Sequence, residues 1–446
     1  MMKTPVCDFI RQYAERGGLR LHMPGHKGSP LLGMEALDIT EVDGADVLYS
    51  AEGILRESME NAASLFGTAK TVYSAEGSTL CIRAMLYLAL QHGKILGRAP
   101  LILAARNVHK AFMTSAALLD LSVQWLFPAE RSLLTCRVTP QLLEETLSSM
   151  PQPPAAVYLT SPDYLGAVAD IAGLSAVCRR HGTLLLVDNA HGAYLRFLPE
   201  DRHPITLGAD LCCDSAHKTL PVLTGGAYLH ISKHAPAMMT EEAEHAMTLF
   251  ASTSPSYLIL QSLDAANRYL AEGYRERLAD FTAQADAMKQ RLRDAGFSLC
   301  GEEPLKLTLA AKTCGQSGTE LAQQLREDGI ECEFSDPDYL VLMLTPETGT
   351  EGLHRLEEAL SRIRFRRIFC EPAPALPVPQ RVCSVREALL SPAEVLPAEY
   401  CLGRVFASAA MSCPPAVPIL VAGERIDEDA LRCLRYYGVS QCRVMK

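Results

Sequence analysis

Four short apolar runs, each broken off by a polar cluster, set the pattern of the first half of the chain. Residues 101–104 precede Arg106 to Lys110, 156–159 precede Thr160 to Tyr164, 184–187 precede Asp188 to His191, and 211–213 precede Asp214 to Lys218. Runs of this length read as buried strands that end at a working surface. Helix-length patterns lie between them, such as 174–181, closed by Gly182, and another, 80–92, opened by Gly77-Ser78-Thr79, lies ahead of the first run. The alternation predicts a mostly parallel sheet covered on both faces, with ligands beyond the carboxyl ends of its strands.

Beyond about residue 275 the pattern changes. Helix-like 279–295, 319–328 and 351–365 alternate with strand-like 305–310 and 339–344, which predicts a smaller α/β domain. Pro372, Pro374, Pro377 and Pro379 favour an extended connector. The expected division is an arm over 1–50, a large domain over 51–275, a small domain over 276–370, a connector over 371–381 and a terminal unit over 382–446.

Composition narrows the function classes. A formal charge of −10 repels polyanions and suits a small cationic ligand, so neither nucleic acid nor an anionic membrane is an expected partner. The first seventeen residues carry charges where a signal peptide needs an apolar core, and Arg83 interrupts the apolar stretch 80–90. A cytoplasmic protein is expected. Fifteen cysteines include no CxxC, so reduced, mostly buried thiols are expected, and no metal centre.

The chemistry-bearing residues fall at the predicted strand ends. Lys218 sits in Ser215-Ala216-His217-Lys218, ahead of Gly225-Gly226. A lysine used for imine chemistry needs a site that disfavours its ammonium, and Ser215 and His217 are donors for a phosphate. Asp188 is suited to keep a pyridine nitrogen protonated, although a strand-end Asp with His191 three residues on equally suits a metal or a helix cap. Ser78 and Thr79 at a helix start form a phosphate cradle with the backbone N–H groups. His109 offers a flat imidazole for stacking.

These pieces occur in the order of a known family. The chain resembles the pyridoxal-phosphate (PLP) dependent Orn/Lys/Arg decarboxylases in their compact bacterial form. The resemblance is carried by Leu21-His22-Met23-Pro24-Gly25-His26-Lys27-Gly28, Gly77-Ser78-Thr79, Arg106-Asn107-Val108-His109-Lys110, Asp188-Asn189-Ala190-His191-Gly192 and Ser215-Ala216-His217-Lys218-Thr219-Leu220. Further on, Ser252-Thr253-Ser254, Leu305-Lys306-Leu307-Thr308 and Cys413-Pro414-Pro415 through Gly423-Glu424 also match.

The resemblance implies the PLP-dependent transferase-like fold (fold type I): a three-layer α/β/α large domain with a smaller C-terminal α/β domain. It implies that Lys218 holds PLP as a Schiff base, that Asp188 pairs with the pyridine nitrogen, and that His109 and Ala190 pack on opposite faces of the ring. Ser78, Thr79, Ser215 and His217 would hold the phosphate, with His191 near the cofactor and Lys218 or His217 returning the proton. A homodimer with its site at the interface follows, with Ser252 to Ser254 reaching the partner's phosphate. The expected reaction is decarboxylation of arginine, lysine or ornithine. Another fold type I reaction, as in an aminotransferase or a lyase, is the alternative, followed by a non-catalytic homologue.

Glu41, Asp43 and Asp46 are candidates to meet the distal cation of the substrate. Several positions depart from the family pattern. Asn189 stands where an acid is general, Tyr194 where a histidine is frequent, Ser161 to Gly166 replaces a threonine-containing segment, and Cys413 and Ala416-Val417 replace an aromatic and a glycine-isoleucine pair.

Overall fold

The computed structural model describes residues 2–127, 130, 132–367, 371–409 and 417–446. The match at Cys413 to Pro415 and the departures at Cys413 and Ala416 therefore lie outside the described residues. In chain order the strands that frame the site are β1 (Lys70–Ser74), β2 (Leu101–Ala105), β3 (Ser122–Leu126), β4 (Ala156–Thr160), β5 (Leu184–Asp188), β6 (Leu211–Asp214) and β7 (Ala227–Ile231). The four runs read from the sequence are β2, β4, β5 and β6.

The chain divides into two compact units, residues 1–97 with 178–277, and residues 98–177 with 278–446. In the first, the strand order is β1-β7-β6-β5. β5 and β6 are parallel, with Leu186 opposite Leu211 and Asp188 opposite Cys213, and β7 runs against both β6 and β1. β5 and β6 are buried along their whole length, as a sheet covered on both faces requires. The helices of this unit include α1 (Pro5–Glu15), α2 (Ile54–Phe66) and α3 (Ser78–Ile95). Pro5 starts α1, and its apolar stripe, with Val6 and Ile10 fully buried, packs on α2 and on the helix Tyr257–Ala271. Gly67, in the left-handed region at φ 71°, ends α2.

In the second unit β2 lies between β4 and β3, parallel to both, and α4 (Lys110–Leu118) follows β2. A separate antiparallel sheet is built from β8 (Leu299–Cys300), β9 (Lys306–Ala310), β10 (Phe334–Ser335) and β11 (Tyr339–Met343) in the order β10-β11-β9-β8. An antiparallel ribbon of β12 (Ala393–Pro397) and β13 (Gln441–Met445) comes last. The parallel pairs β5·β6, β2·β4 and β2·β3 with their flanking helices are the expected α/β architecture. The helix expected over 351–365 spans Gly349–Ser361 instead, because Phe365 leaves the helix and packs edge-on against Phe297, ring centroids 4.9 Å apart.

Candidate active site

At the end of β5, Asp188 is buried at 2% exposure. Its Oδ1 accepts from the Ala190 N–H at 3.2 Å and from Cys213 Sγ at 3.6 Å. Burial raises the Cys213 thiol well above its ordinary pKa, with Asp188 adding to the effect, so Cys213 serves the carboxylate as a neutral donor. Ala190 and His191 follow, also buried.

β6 delivers the lysine. After Asp214 the chain turns through Ser215 into a four-residue helical turn, Ala216–Thr219, which brings Lys218 Nζ to 3.0 Å from His191 Nε2. The amine can donate to that ring nitrogen or exchange a proton with it. Ser215 Oγ donates to Ser78 Oγ at 2.8 Å, so the two serines expected at a phosphate lie together. His217 Nδ1 lies 3.0 Å from the Gly226 carbonyl, to which it donates. Its Nε2 is then an acceptor when the ring is neutral and a donor to an anion only when the ring is protonated.

Ser78 and Thr79 open the eighteen-residue α3, whose cap residue Gly77 has φ 71° and open space on its Cβ side. No side chain caps this end, so the first N–H groups of α3 have no intrahelical partner. The loop is pinned by the Gly77 N–H donating to the Gly225 carbonyl at 2.7 Å. A Cβ on Gly225 would stand 2.9 Å from the Ala75 carbonyl oxygen, which explains the glycine there.

His109 lies in the second unit, exposed, as the cap of α4, its Nδ1 accepting from the Ala111 N–H at 3.2 Å. That contact fixes the ring hydrogen on Nε2 when the ring is neutral. Ahead of it, Arg106 is wholly buried and makes a bidentate pair with Glu424, both N–O distances 2.7 Å. Nη2 also donates to the Ile419 carbonyl at 3.3 Å, and the guanidinium lies 5.3 Å from the Trp125 ring centroid. The sequence match at Arg106 and Glu424 was visible without any hint that the two meet.

Asp46 is engaged by backbone rather than open to a ligand. Its two oxygens accept from the N–H groups of Val47, Glu52, Gly53 and Leu55 at 2.8–3.1 Å, and these contacts outweigh burial to hold its carboxyl below the usual range. Glu41 and Asp43 are exposed. Ser252, also exposed, donates its N–H to Glu76 Oε1 at 2.6 Å. Sequence reasoning missed the buried group around Asp214, whose Oδ1 accepts from Asn189 Nδ2 at 2.7 Å. The only signal for it was a charged residue closing an apolar strand. No helix among the described residues is long and apolar enough to cross a membrane.

The family model for the Orn/Lys/Arg decarboxylase major domain matches residues 4–300. Over 97% of its length the chain is 29% identical to the uncharacterized protein YaaO of Bacillus subtilis, covering 94% of that protein. It is 28% identical to an arginine decarboxylase of Halalkalibacterium halodurans, over 97% of this chain and 93% of the relative. In three dimensions it is similar to the constitutive lysine decarboxylase of E. coli, with a TM-score of 0.79 at 18% identity, over 100% of this chain and 82% of that one.

Proposed function

The chain belongs to the PLP-dependent Orn/Lys/Arg decarboxylase family, in fold type I, and on that premise we propose that it removes the α-carboxylate of a basic amino acid, arginine foremost, to give the polyamine-type amine and carbon dioxide. Arginine is preferred because curated relatives of nearly full length carry that activity in their names. The observation that carries the reading is the meeting of Lys218 with His191 at 3.0 Å, His191 following the buried Asp188 by three residues.

The donor set fits PLP: an amine for its carbonyl, a buried carboxylate for its ring nitrogen, and paired serines with an uncapped helix start for its phosphate. When bound, the cofactor supplies a protonated ring that takes up the electron pair left by the departing carboxylate. Asp188 keeps that ring nitrogen protonated by its negative charge. Ser78, Thr79, Ser215 and His217 would hold the phosphate. His191 orients the Lys218 amine and shares its proton, so Lys218 Nζ is the group placed to return a proton to Cα, with His217 the second candidate. His109 is proposed to stack on the ring and Ala190 to pack against it. Glu41 and Asp43 remain candidates for the distal cation.

The same reading includes a cytoplasmic homodimer with Ser252 to Ser254 reaching the partner's site. It also keeps the division into an arm, a large domain to 275, a small domain, a connector and a terminal unit. To test it, the protein is reconstituted with PLP, and visible absorption and carbon dioxide release from arginine, lysine and ornithine are measured beside Lys218→Ala. A cofactor band abolished by the substitution, with release greatest from arginine, is expected. A wild-type protein without the band overturns the reading.

A further inference from the structure

The proposed chemistry leaves unused a fully buried group directly beneath the site. Asp214 ends β6, one residue before Ser215, and Asp214, Asn189, His203 and His230 are all at 0% exposure. Asp214 Oδ2 is 3.0 Å from His203 Nε2 and 3.2 Å from His230 Nε2. Its Oδ1 accepts from Asn189 Nδ2 at 2.7 Å and from Cys212 Sγ at 3.4 Å.

Two imidazoles and a carboxylate this close suit a metal by composition, with ligand atoms all within 4.8 Å of one another. The hydrogen positions argue otherwise. His203 Nδ1 accepts from the Ile205 N–H at 3.4 Å, so a neutral ring carries its hydrogen on Nε2, where it donates to Asp214 and has no lone pair for a metal. His230 Nδ1 lies 2.9 Å from Thr71 Oγ1 and accepts from that hydroxyl while its Nε2 donates to the same carboxylate. Burial lowers the His230 pKa and so favours its neutral imidazole, while His203 Nδ1 keeps its lone pair to accept the Ile205 N–H. One carboxylate therefore carries the only charge among these four side chains, and each of its oxygens is satisfied.

Asn189 is the link to the site. It lies between Asp188 and Ala190-His191, its N–H donates to the Cys213 carbonyl at 2.9 Å, and its carbonyl accepts from the Gly192 N–H at 2.8 Å. Its side chain fills the space at Gly192, where a Cβ would stand 2.0 Å from Oδ1. We propose that Asp214 is a positioning residue. Held by His203 and His230 through one oxygen, it grips Asn189 with the other and so fixes Asp188 and His191 against Ser215 and Lys218. The pair 189/214 works with a single negative charge on one member and an amide on the other. The amide at 189, a departure from the family pattern, follows directly, because a second carboxylate there would face Asp214 at 2.7 Å.

The positioning role rests on the PLP reading, whereas the charge sharing does not. Asp214→Asn, Asn189→Asp and the double variant are therefore compared by melting of the apo protein, by PLP affinity from visible titration, and by kcat and KM of the holoenzyme. In the double variant the amide at 214 donates to the acid at 189 and still accepts from both histidines, so of the side-chain hydrogen bonds to residue 214 only the long contact donated by Cys212 Sγ is given up. Each single variant is expected to bind PLP about tenfold more weakly or worse. The double variant is expected to return to within about threefold of wild type in affinity and kcat, with its apo melting point restored. Additive losses in apo melting overturn the shared charge. If either single variant is folded and has unchanged PLP affinity and kcat, the positioning role is wrong. Should a single variant fail to fold, recovery or failure in the double decides. A wild type that binds no PLP would sink the functional reading, and with it the positioning role, while apo melting still judges the shared charge.

Discussion

Adjacent cysteines at 212 and 213 serve two different carboxylates because strand residues alternate faces: Cys212 Sγ contacts Asp214 and Cys213 Sγ contacts Asp188. Burial holds both as thiols, so their place in the core was legible as apolar filling but their donor role was not. Asp163, in the segment that departs from the family pattern, shows the same dependence on surroundings. Its Oδ1 accepts from the Leu165 and Ala167 N–H groups at 3.0 and 2.8 Å, shaping the turn that ends at Gly166. Burial raises its pKa to about 6, against the opposing pull of the Ala167 N–H and of Lys306. The folded chain thus holds the Asp163 proton more tightly than the unfolded chain does. The stability this gives is complete below about pH 4 and is lost as pH rises through about 6, at most about 3 kcal/mol. Asn keeps the accepting oxygen without titrating. Urea denaturation of Asp163→Asn between pH 4 and 7 is therefore expected to show a shallower fall in stability than wild type, with Asp336, also raised to about 6, and the buried Asp210 and Asp264, both raised, contributing to the slope that remains. An unchanged slope would remove Asp163 from the account.

At the scale of elements, Arg106 at the end of β2 and Glu424 give the terminal residues a role within their own unit. Glu424 accepts from the Val421 N–H at 2.8 Å as well as from the guanidinium, and Val417 donates its N–H to the Leu133 carbonyl. A buried bidentate pair stabilises little against a well-packed apolar substitute, but losing one partner strands the other charge. Arg106→Met is expected to cost about 3–5 kcal/mol in urea denaturation, and Arg106→Met/Glu424→Gln to recover most of it. A single variant as stable as wild type would deny the clamp. The strands themselves were readable because runs buried on both faces are unbroken apolar segments closed by polar residues. The helix α1 was readable too, since Val6, Phe9, Ile10 and Tyr13 repeat at helical spacing after Thr4-Pro5, yet the arm reading of 1–50 passed over it. Side-chain partners far apart in sequence, such as Arg106 with Glu424 or His203 with Asp214, leave no periodic trace, and only the fold brings them together. Lys218, Asp188, Ser78 and Ser215 stood out in the sequence as chemistry-bearing residue types beside predicted strand ends and a helix start, and the fold brings Ser78 to Ser215 and Lys218 to His191.

At the scale of the molecule, the arm presents apolar side chains that a lone chain has little reason to expose. Leu19, Leu21, Leu31 and Leu32 are 79–87% exposed. The presentation is built in, because the Glu35 carboxylate accepts from the backbone N–H groups of Leu31, Leu32 and Gly33, and Arg20 donates to the Glu35 and Ala36 carbonyls. Polar contacts thus hold the loop while its leucines face outward, and large exposed apolar side chains grouped on one segment mark an association surface. In the proposed homodimer that surface is covered by the partner. Sedimentation equilibrium of the wild-type protein is then expected to give twice the chain mass. In Leu31→Asp/Leu32→Asp, two buried carboxylates per subunit would oppose association, moving the equilibrium toward monomer with a parallel fall in kcat if the partner completes the site. A wild-type monomer with full activity would detach the arm from both assembly and catalysis. A dimer undisturbed by the two aspartates would place the interface elsewhere.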